Sequence, residues 1–305
     1  MQAKIVIVGS LNMDLVIRAP RLPRPGETLS GETFVTVPGG KGANQAVAAA
    51  RLGGRVAMVG CVGDDAYGEQ LRDALLAEDI DCRAVTSVSG VSTGIASIVV
   101  DDSSQNAIII VAGGNAQLTP SRVELFDELL MAAEVVICQL EVPMETVHYT
   151  LYRARELGKT VILNPAPAAA LPEAWYGLID YLIPNESEAQ GLTGMTVDSP
   201  ASAQKAATAL LAAGARNVII TLGEQGSLLA SARGFEHMPA LRVKAVDTTA
   251  AGDTFVGGFA AALAQGKSES DAIRFAQTAA ALSVTRAGAQ PSIPTIHDVQ
   301  GFKHT

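Results

Sequence analysis

The chain has 305 residues, of which 48% are hydrophobic and 4% aromatic. Its 22 basic and 31 acidic residues give a formal net charge of −9, which argues against a nucleic-acid-binding protein because such proteins need a basic surface. No apolar run approaches the roughly eighteen residues of a membrane span, so we expect neither a nucleic acid nor a membrane as a partner.

The first segment, MQAKIVIVGS, is predicted to be a strand, because its apolar run is short and no cleavage-like site follows. Three widely spaced cysteines, Cys61, Cys82 and Cys138, match neither a disulfide framework nor a zinc pattern. We therefore expect a reduced, cytoplasmic protein.

Six short apolar segments predict the strands of a parallel sheet: KIVIVGS, RVAMVGCVG, AEVVICQLE, KTVILNP, DYLIPNE and NVIITLGEQG. Helical patterns lie between them, among them residues 67–79, 121–131 and 202–213, the last ending at Gly214. Continuous apolar strands separated by helices are typical of a sheet that is covered on both faces. The sequence predicts an α/β fold with a doubly wound, mostly parallel sheet and helices on both faces.

Two segments interrupt this alternation. Residues 13–38 carry prolines and short strand-like pieces, and residues 93–112 predict a hairpin around the turn at 101–104. We expect them to form a small β-sheet lid inserted into one domain that spans residues 1–305, although a mere peripheral extension is the alternative. Exposed strand edges invite pairing with a second copy of the chain, so we expect a homodimer through the lid.

Distinctive residues follow the predicted strands at their carboxyl ends. They are Asn12, Asp14, Glu141, Asn164, Asn185 and Gly223. Ligands of open α/β sheets bind outside the carboxyl ends of the strands. Their shared position predicts a single polar crevice.

A glycine-rich turn, VPGGKGANQAVAAARLG, precedes an alanine-rich helix. Lys41 is followed by Gly42 instead of Ser or Thr, which excludes a Walker A loop. The glycines still allow the backbone to approach a ligand, with Lys41 and Asn44 as polar groups, although a flexible turn is the alternative. VGSLNMD lacks the G-x-G-x-x-G fingerprint, which disfavours an NAD-dependent dehydrogenase.

Two later motifs each allow two interpretations. In PNESE, Asn185 and Glu188 suit a hydrated Mg²⁺, or they cap the following helix as its N-cap and N3 residues. TLGEQG, residues 221–226, is a turn that holds a nucleotide or simply reverses the chain.

The segment VDTTAAGDTFVGGFAAAL places Asp253 at the start of an apolar helix, behind Ala250, Ala251 and Gly252. Acids are favoured in a first helical turn, so helix capping is one explanation. The three small residues, however, leave backbone N–H groups bare to an approaching anion. A carboxylate beside a bound anion is repelled unless a proton, a metal or a nucleophile lies between them. This combination indicates chemistry on a phosphate.

GGKGANQAVAAARLG together with DTTAAGDTFVGGF resembles the two signature segments of the PfkB, or ribokinase-like, carbohydrate kinases. PNESE and TLGEQG lie between them in the expected order, GSLNMDLV, NPAPA and TRAGAQPS also match, and the resemblance extends to about Pro294. It implies transfer of the γ-phosphoryl group of ATP to the 5-hydroxyl of D-ribose, with Mg²⁺ accompanying ATP and K⁺ as an activator.

Site residues follow from the resemblance position by position. It implies Asp253 as the catalytic base and an anion hole formed by the N–H groups of Ala251, Gly252 and Asp253, with Ala250 as a further catalytic residue. The implied sugar-binding residues are Asn12, Met13, Asp14, Gly40, Lys41, Gly42, Ala43, Asn44, Glu141 and Asp253. The implied ATP-binding residues are Asn185, Thr221, Leu222, Gly223, Glu224, Gln225, Gly226, Gly252 and Gln277, the last at a position where relatives carry Asn or His. Glu188 would hold Mg²⁺ through water, and the K⁺ site would comprise Asp247, Thr249, Ser283, Arg286, Gly288 and Ser292.

Three alternatives stay open. Asp247 caps a turn if no cation binds there. The substrate is another small sugar or a nucleoside, for example deoxyribose. A catalytically silent sugar or nucleotide sensor is the third, but such a binder has no need of an intact Asp253.

Overall fold

A computed structural model of the protein describes residues 4–103 and 105–302. Its strands in chain order are β1 Ile5–Val8, β2 Asn12–Arg18, β3 Thr33–Gly39, β4 Val56–Gly63, β5 Asp81–Val88, β6 Gly94–Val100, β7 Asn106–Val111, β8 Val135–Cys138, β9 Thr160–Leu163, β10 Tyr181–Leu182, β11 Asn217–Thr221, β12 Ser227–Ser231 and β13 Gly234–Met238. Its α-helices are α1 Lys41–Arg51, α2 Ala66–Leu76, α3 Pro120–Glu124, α4 Asp127–Ala132, α5 Met144–Glu156, α6 Glu173–Tyr176, α7 Glu186–Thr193, α8 Pro200–Ala212, α9 Ala251–Ala264, α10 Glu269–Ser283 and α11 Ile296–Gly301. Short 3₁₀ turns lie at Gly113–Gln117, Gly223–Gln225 and Gln290–Ser292.

The larger sheet has nine strands in the order β13-β12-β11-β10-β9-β8-β1-β4-β5. The strands from β11 to β5 run parallel, whereas β12 and β13 form an antiparallel hairpin at one edge. All six predicted strands lie in the parallel part, so the predicted doubly wound sheet is confirmed. The sequence did not predict β5 or the edge hairpin.

Helices cover both faces of this sheet, and alternate strand residues belong to two separate cores. On β1, Ile5 and Ile7 pack with α1, α9 and α10 on one face, while Val6 and Val8 pack with α5 and α8 on the other. All four residues are fully buried. Two-sided burial explains why these strands are apolar at every position.

A second, four-stranded sheet has the order β3-β2-β6-β7 and confirms the predicted small sheet. β2 runs parallel to β6 and antiparallel to β3, and β6 pairs antiparallel with β7. Of the predicted turn between β6 and β7, Ser104 lies outside the described residues. Every residue of β7 is exposed.

The predicted helix at 121–131 is instead two short helices, α3 and α4. The chain leaves the helical path at Phe126, whose φ is −120° and ψ 29°. The break leaves Leu125 exposed and allows Val123, Leu129 and Leu130 all to pack in the core. No helix among the described residues has the length and hydrophobicity needed to span a bilayer.

Candidate active site

Asp253 is the third residue of α9, and its side chain contacts α1. Its carboxylate is 7% exposed and accepts hydrogen bonds from Gln45 Nε2 to Oδ1 at 2.9 Å and from Asn44 Nδ2 to Oδ2 at 3.0 Å. Within the described residues α9 has no side-chain cap, so Asp253 does not serve as one. Both carboxylate oxygens are oriented by α1 instead.

The first turn of α9 is built for close approach of its backbone. Ala250 adopts the left-handed conformation with φ 58°, and its carbonyl accepts a bond from Thr254 Oγ1 at 2.8 Å. A side chain added at Gly252 would meet nothing within 4 Å, so this backbone faces open space. The N–H of Ala251 already donates to the Thr248 carbonyl at 3.2 Å. The Gly252 end of the turn is therefore the more open part of the predicted anion hole.

A cavity of about 200 Å³ lies in front of this turn. It is lined by Lys41, Asn164, Ala166, Ile183, Asn185, Glu188, Thr221, Thr248, Ala250, Ala251, Gly252, Asp253 and Val256. Of the six residues predicted for one polar crevice, Asn164 and Asn185 line this cavity, whereas Asn12, Asp14, Glu141 and Gly223 are not among its lining residues. A larger cavity of about 330 Å³ lies between the β12–β13 hairpin and the start of α10 and contains none of the predicted site residues.

The glycines before α1 bring two backbone segments into contact. Gly40 has φ 88°, and a Cβ there would lie 2.7 Å from the Asn12 backbone nitrogen. A Cβ on Gly42 would lie 2.5 Å from the Ser10 nitrogen. Any side chain at either position would separate Lys41 and α1 from the end of β1.

Lys41 lies among three carboxylates. Burial lowers the pKa of its ammonium group, but Asp253, Glu141 and Glu188 raise it more, so the pKa is raised overall and Lys41 stays charged at neutral pH. The pKa of Asp14 is raised from 3.8 to about 7 by burial, with further contributions from the charges of Glu141 and Asp253. One of the predicted sugar-binding residues is therefore an acid that titrates near neutral pH.

Glu141 and Asn12 are held in fixed orientations. Glu141 Oε2 accepts bonds from Ser10 Oγ at 2.5 Å and from the Lys41 backbone N–H at 3.0 Å. Asn12 Oδ1 accepts a bond from Asn115 Nδ2 at 2.8 Å. Since its carbonyl oxygen is engaged, Asn12 offers its NH₂ group to a ligand.

Asn44 presents the opposite chemistry. Its Oδ1 is buried and has no hydrogen-bond partner among the described residues. A buried unpaired acceptor is costly, and a sugar hydroxyl is a suitable donor to it. Met13 and Ala43, also predicted to bind sugar, have side chains in the hydrophobic core, so they can offer a ligand only backbone atoms.

Asn185 and Glu188 adopt the helix-capping interpretation, and their Mg²⁺ interpretation stays a prediction. They form a capping box at the start of α7, and Glu188 also lines the cavity. Burial raises the pKa of Glu188, although the Asn185 N–H and the Lys41 charge act in the opposite direction. Glu188 is therefore both the N3 residue of the capping box and an acid on the cavity wall.

The predicted nucleotide residues are only partly brought together. Asn185, Thr221 and Gly252 line the cavity, whereas Leu222 is buried in the core. Gln225 Nε2 donates to the Asp198 carbonyl at 3.0 Å, outside the cavity. Gly223, Glu224 and Gly226 complete the turn between β11 and β12. Gln277, on α10, donates to the Met238 carbonyl at 3.0 Å.

Three of the predicted cation residues are linked, because Thr249 and Gly288 both contact Asp247. Asp247 Oδ1 accepts bonds from Thr249 N at 2.9 Å and Oγ1 at 2.6 Å, and Oδ2 accepts from Gly288 N at 2.8 Å. The bonds from Thr249 make Asp247 a turn cap, and the bond from Gly288 joins the loop before α9 to the segment after α10. Ser283 and Ser292 are fully buried, with hydroxyls that donate to the backbone carbonyls of Ala280 and Ala289. The Arg286 guanidinium instead faces Asp298 at 3.4 Å.

Several polar residues of the site were not assigned from the sequence. Asn164 was placed in the crevice without a role, and Ser10, Asn115, Gln45, Gln139 and Thr248 were not singled out. Gln45 and Gln139 are both fully buried. A polar residue in an alanine-rich helix, such as Gln45, is a weak signal, because the same pattern fits a solvent-facing position.

Comparison with known proteins gives a consistent result. The chain matches the pfkB family of carbohydrate kinases over residues 2–296. It is 43% identical over 302 residues to a ribokinase of Haemophilus influenzae, covering 99% of each chain. It is 40% identical over 299 residues to a deoxyribokinase of Salmonella typhi, covering 98% of each. A solved Arabidopsis thaliana ribokinase, complexed with ribose and ATP, is 35% identical and superimposes with a TM-score of 0.93 over 99% of this chain and 100% of that one.

Proposed function

Since the chain belongs to the pfkB family of carbohydrate kinases, we propose that it phosphorylates D-ribose at the 5-hydroxyl with ATP, giving D-ribose 5-phosphate and ADP. One observation carries the proposal. The buried carboxylate of Asp253 lies in the first turn of α9, beside the open backbone of Gly252 and in the same cavity as Lys41. A general base, an anion site and a cation thus converge on one space.

In the proposed reaction, Asp253 accepts the proton of the sugar hydroxyl while that oxygen forms a bond to the γ-phosphorus. The bond from this phosphorus to the β,γ-bridging oxygen breaks, and ADP leaves. The first-turn backbone and Lys41 stabilise charge on the transferring group. Asn44 and Gln45 hold Asp253 in place, so little reorganisation is needed at the moment of transfer.

The residues present fit the two metal ions that we propose. Mg²⁺ prefers one or two carboxylates, waters and phosphate oxygens, and Glu188 offers a carboxylate on the cavity wall. When bound with ATP, Mg²⁺ neutralises phosphate charge. For K⁺, the segments around Asp247, Ser283 and Ser292 offer carboxylate, hydroxyl and carbonyl oxygens. We propose that these residues hold an activating K⁺ that orders the loop before α9.

Ribose recognition is assigned to the small sheet and the turn before α1. Asn12 offers a donor and Asn44 an unpaired acceptor, while Asp14 and Glu141 offer carboxylate oxygens. The 40% identity to a deoxyribokinase supports 2-deoxyribose as the second candidate substrate. The two sugars differ by one hydroxyl, so Asn12, Asp14 and Asn44 decide between them.

We further propose a single kinase domain in which the small sheet acts as a lid and also forms a homodimer. The exposed apolar side chains of Phe34, Ile108, Ile109 and Ile110 support this role. The buried free thiols of Cys61, Cys82 and Cys138 fit a reducing compartment, and we assign the enzyme to the cytoplasm.

The direct test is a coupled assay of ADP release over a panel of pentoses, hexoses and nucleosides with Mg-ATP. We expect the highest kcat/KM with D-ribose. A higher kcat/KM for 2-deoxyribose would select the second candidate. ADP release that no sugar or nucleoside stimulates would contradict the kinase assignment.

A further inference from the structure

A chain of buried amide groups lies behind Asp253 and connects it to the end of β8. Gln45 Nε2 donates to Asp253 Oδ1 at 2.9 Å and to Asn164 Oδ1 at 3.0 Å. Gln45 Oε1 in turn accepts a bond from Gln139 Nε2 at 2.6 Å. Gln45 and Gln139 are fully buried, so neither side chain serves solubility.

The direction of each amide in this chain is fixed by groups that can only accept. Asn164 Nδ2 donates to the Ile183 carbonyl at 2.9 Å and contacts Glu188 Oε2 at 3.5 Å, so its Oδ1 faces Gln45. Gln45 must then present its NH₂ group to Asn164 Oδ1 and to Asp253. Its Oε1 consequently faces Gln139, which must donate. The orientation of Gln45 is therefore imposed by Asn164 and Asp253, and the orientation of Gln139 follows from it.

The far end of the chain is kept at a cost. Gln139 Oε1 is buried and has no hydrogen-bond partner among the described residues. A Cβ added to Gly9 would lie 2.1 Å from this oxygen, so the two could not occupy the space together. A buried unpaired oxygen destabilises the fold, and Gly9 is the residue whose missing side chain makes room for it. A purely structural packing role would be filled better by an apolar side chain.

We propose that Gln45, oriented by Asn164 and held at its Oε1 by Gln139, is the positioning residue of the catalytic base. Gln45 acts on Oδ1 of Asp253 and Asn44 on Oδ2, so two donors fix the carboxylate plane. Only Asn44 has an atom left for the sugar, its unpaired Oδ1. Gln45 has both Nε2 hydrogens and its Oε1 engaged within the protein, so it acts through Asp253 and does not contact the substrate.

This inference rests on the proposed role of Asp253, and a double-mutant cycle separates the two. Gln45→Met keeps the length of the side chain and removes the donor. We expect kcat to fall by about 10- to 100-fold, the scale of one hydrogen bond to a charged group, with KM for sugar and ATP nearly unchanged. In the Asp253→Asn background the same substitution should change kcat by less than about 3-fold, because the carboxylate that it positions is gone.

Two further variants complete the test. Gln139→Met should lower kcat less than Gln45→Met does, again without changing either KM. Gln265→Met is the matched control, since it removes one glutamine bond, to the Leu52 carbonyl, far from Asp253, and should leave kcat unchanged. Thermal melting of each variant shows whether it is folded. If Gln45→Met does not fold, Gln139→Met replaces it in the double-mutant cycle with Asp253→Asn.

The outcomes are distinct. Equal losses of kcat from Gln45→Met in both backgrounds would show a general structural role and overturn the proposal, as would a kcat within about 2-fold of wild type. Full activity in Asp253→Asn would instead overturn the proposed base. If the preferred sugar is not ribose, the cycle is run with that sugar, because the positioning role does not depend on which sugar is bound.

Discussion

The two sheets of this molecule differ in how much of their surface is covered. β1 and β4 of the large sheet are buried at every residue, whereas β7 of the small sheet is exposed at every residue and β3 at most of its length. The covered sheet positions Asp253 through α1 and α9, where close packing permits little movement. The open sheet carries Asn12 and Asp14. The proposed catalytic base therefore lies in the covered part, whereas two of the proposed sugar-binding residues and the proposed dimer contact lie in the open sheet.

The largest effect is expected in the covered part. Asp253→Asn should keep the shape of the residue while removing the base, so kcat should fall by roughly 10²- to 10⁴-fold with ATP affinity nearly unchanged. Steady-state kinetics and nucleotide titration measure the two quantities. Asp73→Asn, exposed on α2, is the control. Turnover above about a third of the wild-type rate would end the assignment of Asp253 as base.

A smaller effect tests recognition by the open part. If Asn12 and Asp14 bond the ring hydroxyls, 2-deoxyribose leaves a buried polar group unpaired, at a cost of about 1–3 kcal/mol. Ribose should then be preferred in kcat/KM by roughly 5- to 150-fold. Competition between the two sugars measures this ratio. Equal kcat/KM values would show that these residues do not read the position.

The loop before α9 is largely exposed, adjoins the covered part and offers a further test. K⁺ should raise kcat several-fold at saturating ATP and ribose, because an ordered loop aims the anion-hole N–H groups before reaction. Na⁺ should substitute poorly, and Asp247→Ala should lose the response. Turnover is compared in KCl and NaCl at matched ionic strength. Identical rates in both salts for both proteins would contradict the cation site. Asp247 would then serve only as a turn cap, through its hydrogen bond with Thr249.

The raised pKa of Asp14, in the open sheet, leads us to expect that the free energy of unfolding depends on pH. Its pKa is raised from 3.8 to about 7, so folding favours the protonated form, and this contribution to stability is lost as pH rises through about 7. Asp14→Asn should therefore raise the free energy of unfolding at pH 8 by about 1–2 kcal/mol, with little change at pH 4. Denaturant titrations at both pH values test this. A variant that is no more stable than wild type at pH 8 would contradict it.

The smallest expected effect on turnover comes from the outer strand of the open sheet. Ile109 is 70% exposed at the middle of β7, so Ile109→Lys should weaken the proposed homodimer while kcat changes little. Analytical ultracentrifugation at micromolar concentration reports the assembly. Leu125→Lys, 73% exposed between α3 and α4, is the matched control. A wild-type protein that sediments only as monomer would remove the dimer from the account.

The sequence was most informative where one physical signal dominated. Apolar runs predicted the parallel strands because a strand that is buried on both faces is apolar at every position, as β1 is. The pattern failed at Phe126, where tertiary packing broke a helix whose periodicity looked continuous. It also missed the β12–β13 hairpin, which has no helix beside it in the sequence to mark it as part of the sheet.

The site divides in the same way. The sequence singled out Asp253 and the glycines around Lys41 because small residues beside a charged one are unusual. It did not single out Gln45 and Gln139, because the hydrogen bond between them joins residues 94 positions apart, which no local pattern records. The capping box at Asn185 shows a third case, in which the structural interpretation of a motif is confirmed and the proposed metal-binding role of the same pair stays a prediction.

The most direct measurement is ³¹P NMR of the products formed from ATP and D-ribose by wild type and by Asp253→Asn under the same conditions. The account predicts that ribose 5-phosphate and ADP accumulate together with wild type and that both nearly disappear with the variant. Phosphate on another hydroxyl, or ribose 5-phosphate formed equally fast by both proteins, would contradict it.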